Sequence, residues 1–307
     1  MLEILYAPET LAALMRSLIP LLLLGLGGVI CHRVGVFNVS LEGFLLAGAF
    51  AGLAGSTLSG NAYVGVVAAG ITGIAVSALI AFGGVVRRAD PIVVGISVNL
   101  LVAGMTSFLL FIIFGVRGTL QQPGTQGLPR MRIPVLADIP WLGTMLNTLT
   151  LLGFLGLAAT FAMQYYLSRT VSGLRLRGVG MKPDASATLG IAPARYQTVA
   201  ILVSGLLGGL AGAQLSLGSV ALFTENMSAG RGWIVVVAVL LANGRVWPLF
   251  AILVLFSYVD AVGIRLQNFG FPVQFSDAVP YLVTLIALIV IALLRRGREN
   301  AFSVSPS

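Results

Sequence analysis

Few residues in this chain are of the types that do covalent chemistry. His32 is the only histidine and Cys31 the only cysteine. A zinc cluster needs several such ligands and a disulfide needs two thiols, so neither forms within the chain. Lys182, the only lysine, is followed by Pro183. A phosphate-binding P-loop needs its lysine followed by serine or threonine, so the chain does not hydrolyse ATP by that route. The Cys31-His32 pair reads as a boundary between apolar and polar sequence rather than a catalytic dyad, and no serine stands in a nucleophile elbow. An enzyme reading has no site, and neither a metal nor a cofactor is expected.

What remains is a set of polar residues in apolar surroundings: Asn38, Glu42, Asn99, Gln214, Asn243 and Asp260. A charged group at a bilayer centre costs roughly 2.5–3.5 kcal/mol on insertion scales, so such residues are functional candidates. The first five are the candidates for a substrate pathway. Each also has a structural reading. Asn38 and Glu42 suit the cap of a broken helix or a partner for Arg33. Asn99 and Gln214 suit a bond between neighbouring helices as well as a contact with solute. Asp260 with Arg265 reads as an ion pair near one end of a span.

A second candidate is a polar break, Arg169–Gln197, which carries Arg169, Arg175, Arg177, Lys182 and Arg195 against the single acid Asp184. Within it, Pro183–Leu189 has the punctuation of a short helix. Pro183 suits the first position, Asp184 complements the amino-terminal dipole and Gly190 suits the position just past the end. Such a helix spans about 10 Å at 1.5 Å per residue, a knob rather than a span. The plainer reading is a basic loop that only orients its neighbours.

The elements that position these residues are apolar runs. The 307 residues are 58% hydrophobic and 9% charged, with mean hydropathy +1.01. A soluble domain is about a quarter charged, so this is a polytopic membrane protein. The expected fold is all-α, a transmembrane helix bundle of about eight or nine segments including broken or short helices. The segments read as Thr10–Cys31, kinked at Pro20, then Gly35–Gly55, Ala62–Val86, Ile92–Gly115, Leu142–Leu167, Thr198–Leu217, the short Trp233–Ala242, Pro248–Leu266 and Val279–Leu294. The first run is too long for a signal peptide and lacks a basic leader, so it is expected to stay in the mature protein. The long polar stretch Val116–Trp141 is expected to pack on the outer face. Gly48-x-x-x-Gly52, Gly205-x-x-x-Gly209 and Gly208-x-x-x-Gly212 predict helices whose backbones approach closely. No soluble domain is evident, so residues 1–307 read as one transmembrane unit containing a loop at 168–197.

The net charge of +8 and isoelectric point near 10.4 would suit nucleic acid, but the basic residues sit in the breaks between apolar runs. Positive-inside orientation explains them, and no nucleic-acid partner is expected. Arg33, Arg87, Arg88, the Arg169–Gln197 basics, Arg245 and Arg295, Arg296 and Arg298 fall on one side when the amino terminus is outside. The carboxyl terminus is then inside.

Several stretches carry a resemblance. Arg33-Val-Gly-Val-Phe-Asn-Val-Ser-Leu-Glu-Gly-Phe-Leu-Leu-Ala-Gly-Ala-Phe, Asp90-Pro-Ile-Val-Val-Gly-Ile-Ser-Val-Asn-Leu-Leu and Gly173-Leu-Arg-Leu-Arg-Gly-Val-Gly are followed by Ala185-Ser-Ala-Thr-Leu-Gly-Ile. Ser204-Gly-Leu-Leu-Gly-Gly-Leu-Ala-Gly-Ala, Gly230-Arg-Gly-Trp-Ile and Pro280-Tyr-Leu-Val-Thr complete the series. In this order, from about Leu11 to Arg296, the chain resembles bacterial ABC-importer permeases. The branch is that of simple sugars and nucleosides, related to the ribose and branched-chain amino-acid permeases. Val39-Ser40 replaces the usual Ile-Gly, and Leu241-Ala-Asn243-Gly-Arg245-Val-Trp-Pro departs from the small-residue pattern.

The resemblance implies a multi-pass subunit of a bacterial inner membrane, embedded in the lipid bilayer. It implies cytoplasmic ATPase subunits, a second permease chain (identical or homologous) and an extracytoplasmic substrate-binding protein as partners. Pro183, Asp184, Ala185, Ala187, Leu189 and Gly190 would form the coupling helix that docks on the ATPase. The implied solute is a nucleoside or simple sugar, with a nucleoside favoured. The competing class is an ion-coupled secondary transporter or channel, for which Glu42 close to Asn38 in a broken segment is the best sequence evidence.

Overall fold

The computed structural model describes residues 8–122, 124–131 and 147–267. The expected segment Val279–Leu294, the basic run Arg295–Arg298, the motif at Pro280 and residues 132–146 of the long polar stretch lie outside the described residues. Ten helices are named in chain order. They are α1 (Pro8–Arg33), α2 (Leu41–Ser59), α3 (Ala62–Ile80), α4 (Pro91–Phe114), α5 (Leu151–Arg169), α6 (Val171–Met181), α7 (Pro183–Thr188), α8 (Pro193–Ala213), α9 (Arg231–Leu241) and α10 (Val246–Gln267). Wider π turns continue α3 through Ala81–Val86 and α8 through Gln214–Val220. Two residues of strand, β1 (Thr119–Leu120) and β2 (Phe223–Thr224), pair antiparallel. Among the described residues seven helices are long and apolar enough to cross a membrane, and α9 is a shorter apolar helix.

Local chemistry sets the helix ends. Asn61 Oδ1 accepts from the amide of Tyr63 at 2.8 Å, starting α3. Asp90 Oδ1 accepts from Ile92 and Val93 with Pro91 at the first position, starting α4. Thr150 and Thr170 cap α5 and α6 through their hydroxyls. In each case a side-chain oxygen satisfies an amide with no intrahelical acceptor. Pro193 opens α8 five residues before the expected start of that span, because proline at a first position leaves no amide to satisfy. The predicted loop Arg169–Gln197 is thus largely helical. Conversely, α2 starts at Leu41 rather than Gly35, and α5 at Leu151 rather than Leu142. Helix α1 runs through Pro20.

The ends sort onto two faces. On one lie Arg33, Arg87 and Arg88 after α3, the starts of α4 and α8, and the end of α9, where Arg33 Nε donates to Gly244 O at 2.6 Å. On the other, Arg265 pairs with Glu9 at 2.8 Å, and Ser56 Oγ donates to Gln126 O at 2.7 Å. This second contact, with Leu120 and Leu128 buried, seats the described part of the long polar stretch on the Glu9 face. Asp260 does not pair with Arg265. It accepts from Ser17 at 2.6 Å, because residues five apart on a helix point in different directions.

The centre is α1, most of which is buried, whereas α4 is mostly exposed and lies at the periphery. Around α1 the helices α2, α3 and α8 meet backbone to backbone through the glycine motifs. A Cβ on Gly48 would enter the Gly209 backbone, one on Gly209 the Ala69 carbonyl, one on Gly73 the Gly205 carbonyl and one on Gly212 the Leu45 carbonyl. Close approach replaces the hydrophobic drive that lipid cannot supply between membrane helices.

This packing gives a direct test. Gly209→Leu must separate α3 from α8 and should cost more than the about 1–3 kcal/mol of ordinary overpacking. It should lower the thermal stability of the detergent-purified chain or abolish its folded yield. Gly104→Leu, where an added Cβ meets nothing within 4 Å, should leave both unchanged.

Candidate functional site

The polar candidates converge where two helices begin inside the bundle. After α1 the chain turns at Val34, whose amide donates to Ile30 O, and runs non-helically to Ser40. Asn38 is 7% exposed. Its Oδ1 accepts from the Ser40 amide at 3.0 Å, and its Nδ2 donates to Ser204 Oγ at 3.1 Å on α8. Asn99 on α4 holds the same start from the other side. Its Oδ1 accepts from the Gly43 amide at 2.8 Å and its Nδ2 donates to Val39 O at 3.0 Å. Asn99 stands eight residues after Pro91, so this junction lies roughly 12 Å in from the Arg33 face at 1.5 Å per residue.

Glu42 does not pair with Arg33. Its carboxylate accepts from the amides of Gly230 at 2.9 Å and Gly232 at 2.6 Å. These are amides at the start of α9, whose own cap position, Gly230, is left-handed (φ 79°) and has no side chain to contribute. Helix α9 has 11 residues, about 16 Å, and ends at the Arg33 face. Its amino terminus therefore lies near mid-depth of a hydrocarbon core about 30 Å thick. A carboxylate there satisfies two amides and meets the positive end of the helix dipole. The backbones are also in contact, because a Cβ on Gly232 would strike Glu42.

Gln214, 3% exposed, opens the π turn of α8 and accepts from Thr150 Oγ1 at 2.6 Å. Asn243 stands apart from the others. It is exposed, left-handed (φ 50°), and sits in the turn after α9 on the Arg33 face. The structure thus joins Asn38, Glu42 and Asn99 in one junction, places Gln214 above it and leaves Asn243 at the rim. Ser204 and Gly230 complete this junction and Thr150 pairs with Gln214 apart from it, yet nothing local in the sequence names these residues as the partners.

The second site is the knob. Helix α7 spans Pro183–Thr188, with Leu189 as its carboxyl cap and Gly190 left-handed at φ 78°. Pro183, Asp184, Ala185, Ala187 and Gly190 are exposed, and Leu189 is 79% exposed. Ser186 alone turns inward, and its amide and hydroxyl both bond Lys182 O. Helix α6, absent from the sequence reading, mounts the knob. Its Gly180 lies against the carbonyl of Arg33 and the amide of Gly35. Beside the knob, α5, α6 and α8 enclose a cleft of about 840 Å³, lined by Tyr166, Arg175, Leu189, Arg195 and Tyr196 over an apolar floor. Among the described residues no group of histidine, cysteine or carboxylate side chains could hold a metal.

Over residues 10–288 the sequence matches the family described as branched-chain amino acid transport system, permease component. The chain belongs to this permease family. It is 32% identical over 267 residues to a putative glucose ABC transporter permease of Haloferax volcanii, covering 86% of this chain and 79% of that one. It is 32% identical over 282 residues to a guanosine ABC transporter permease of Bacillus subtilis, covering 88% and 87%. It is 33% identical over 282 residues to a nucleoside ABC transporter permease of Lactococcus lactis, with the same coverage. No solved structure matches. The permease is a multi-pass membrane protein and a transport component of an ABC system.

The junction makes a testable statement about Glu42. Glu42→Ala leaves two partly buried amides at the start of α9 without acceptors, at up to about 1–3 kcal/mol each. It should lower the melting temperature of the purified permease markedly, and Glu42→Gln, which keeps one acceptor oxygen, should lower it less. A Glu42→Ala protein of wild-type stability that has lost uptake would instead show a carboxylate acting on solute or proton.

Proposed function

We propose that this permease forms the membrane pathway of a binding-protein-dependent importer for nucleosides or simple sugars, with nucleosides favoured. Two relatives are named for guanosine and nucleoside and one for glucose. The solute suits an interior with amides and hydroxyls but few fixed charges. Residues 1–307 act as one transmembrane unit, with 168–197 as its coupling segment on the cytoplasmic side.

The observation that carries the reading is an exposed, two-ended helix projecting from the arginine-rich face on a mount fixed to α1. Such a shape suits a groove on a cytoplasmic ATPase. Pro183, Asp184, Ala185, Ala187, Leu189 and Gly190 present its surface, while Ser186 ties it down. A second permease chain completes the pathway, and an external receptor delivers solute. ATP binding by the ATPases draws the knobs together, and the cleft beside α7 leaves room for that displacement. Nucleotide and loaded receptor then favour different packings of the same helices. In this reading Asn38, Glu42, Asn99 and Gln214 frame the pathway by holding broken helices open, and Asn243 borders its cytoplasmic end.

Three measurements check it. A cysteine at Ala187 should resist an impermeant thiol reagent added outside intact cells and react once the membrane is permeabilised. Ready labelling from outside would overturn the orientation. Ala187→Glu combined with Gly190→Glu should leave insertion normal yet abolish uptake and solute-stimulated ATP hydrolysis in the assembled complex. The Gly190 change adds about 1 kcal/mol of backbone strain, since only glycine adopts a left-handed cap freely. Normal uptake at wild-type expression would remove the coupling role. Finally, the partner receptor should bind nucleosides or sugars. Tight binding of a charged or branched-chain amino acid, with no affinity for nucleosides or sugars, would show that the solute assignment is wrong.

A further inference from the structure

A cavity of about 350 Å³ opens on the Arg33 face, between the ends of α1 and α5, the side of α6 and the turn from α9 to α10. Arg33, Arg177 and Arg245 line it, with Gln164, Ser168 and Trp247. Arg177 and Arg245 act on Arg33 by like-charge repulsion. Among the described residues no carboxylate lines the cavity. Glu9 pairs with Arg265, Glu42 with α9, Asp90 with the start of α4 and Asp260 with Ser17. Arg33 Nε is engaged by Gly244 O, but Arg177 Nε is buried with no hydrogen-bond partner among the described residues. Three guanidiniums brought together with no counter-charge among the described residues raise the energy of the empty site, and a buried donor unpaired among them adds to it. Both terms are relieved by one anion with several acceptor oxygens.

The surroundings say what kind. Trp247 is 46% exposed and meets the exposed Phe161 edge to face at 5.3 Å. Exposed tryptophan beside arginine marks the depth of lipid headgroups. The face is the basic one, which lies against the leaflet rich in anionic lipid. Arginine forks match phosphate oxygens in pairs.

We propose that the cavity binds the phosphate of an anionic phospholipid from the cytoplasmic leaflet. The headgroup bridges Arg33 on α1, Arg177 on α6 and Arg245 before α10, while its acyl chains lie along the exposed Phe161–Trp247 surface. Since α6 mounts the knob, the bound lipid locks that mount to the bundle. On the coupling role proposed above, this places a lipid site at the coupling element, so the lipid content of the membrane sets how firmly α7 is held.

The test uses the full-length permease in neutral detergent, where lipid binding is read without transport or orientation. Phosphatidylglycerol and cardiolipin should raise the melting temperature and appear as bound adducts in native mass spectrometry, and phosphatidylcholine should not. Arg177→Gln and Arg245→Gln, each eluting as folded protein, should weaken anionic-lipid binding at least tenfold, while Arg87→Gln on the same face should not. Arg245 is exposed, so its variant keeps the test sound if Arg177→Gln destabilises the chain. Equal binding of phosphatidylcholine, or unchanged affinity in both variants, would overturn the proposal. So would full stabilisation by inorganic phosphate alone, which would assign the cavity to a free anion. Loss of ATPase association in both variants with unchanged lipid affinity would assign it to an acidic group of the partner subunit.

Discussion

A helix that starts inside hydrocarbon has amides that water cannot reach, and this structure answers that constraint with one carboxylate. Glu42 accepts from Gly230 and Gly232, so α9 begins near mid-depth without orphaned donors. An unsatisfied amide there would cost several kcal/mol, more than a helix of α9's length recovers from its own propensity. The same constraint governs α2, whose start is closed by Asn38 and Asn99 rather than by a cap of its own. The two broken starts share a junction because Glu42 is also the second residue of α2. One acid therefore registers α2 against α9, and two asparagines register α2 against α8 and α4. Remove the junction and neither helix has a reason to start at that depth.

Once the starts are fixed, glycine sets the rest. Gly48, Gly73, Gly205, Gly209 and Gly212 bring α2, α3 and α8 to backbone contact. Interfaces of this kind have no long side chains to repack, so they move as units or not at all. The peripheral α4 and α5, mostly unburied, are the elements free to meet lipid or a second chain. A rigid centre with looser flanks suits a machine that alternates between two packings. The π turn at Gln214–Val220 is where the rigid α8 changes its winding before reaching the Glu9 face, and such turns recur at functional positions in helices.

The sequence made the spans legible because hydrocarbon thickness imposes length and composition on each of them. It also made the knob legible, since proline at one end and glycine at the other are local signals. Gly190 is left-handed as those signals require. The glycine motifs likewise mark real contacts. What stayed hidden was long-range pairing. Glu42 and Gly230 are 188 positions apart, and Asn38 and Ser204 are 166 apart. No periodicity links such residues, so Glu42 could be placed in a broken segment but not on its partner helix. Sequence proximity suggests Arg265 as the partner of Asp260, which instead bonds Ser17, 243 positions away. Helix α6 was missed for a different reason. Its Arg175, Arg177 and several glycines carry the composition of a loop, and it is held as a helix by packing against Arg33 and Gly35 rather than by propensity.

The arginines unite these threads. Positive-inside bias requires only that basic residues lie on one face, and an extended, solvated scatter would satisfy it. Here Arg33, Arg177 and Arg245 instead converge from three separate elements on one cavity. Self-repulsion opposes that convergence, and Arg33 Nε is held in place by a carbonyl rather than an acid. Orientation alone does not explain guanidiniums gathered against their own repulsion, one of them with a buried nitrogen unpaired among the described residues. The position does explain it. The cavity lies where α1, α6 and the turn between α9 and α10 come together, so a charge placed there acts on the mount of α7 and on the end of α9 at once.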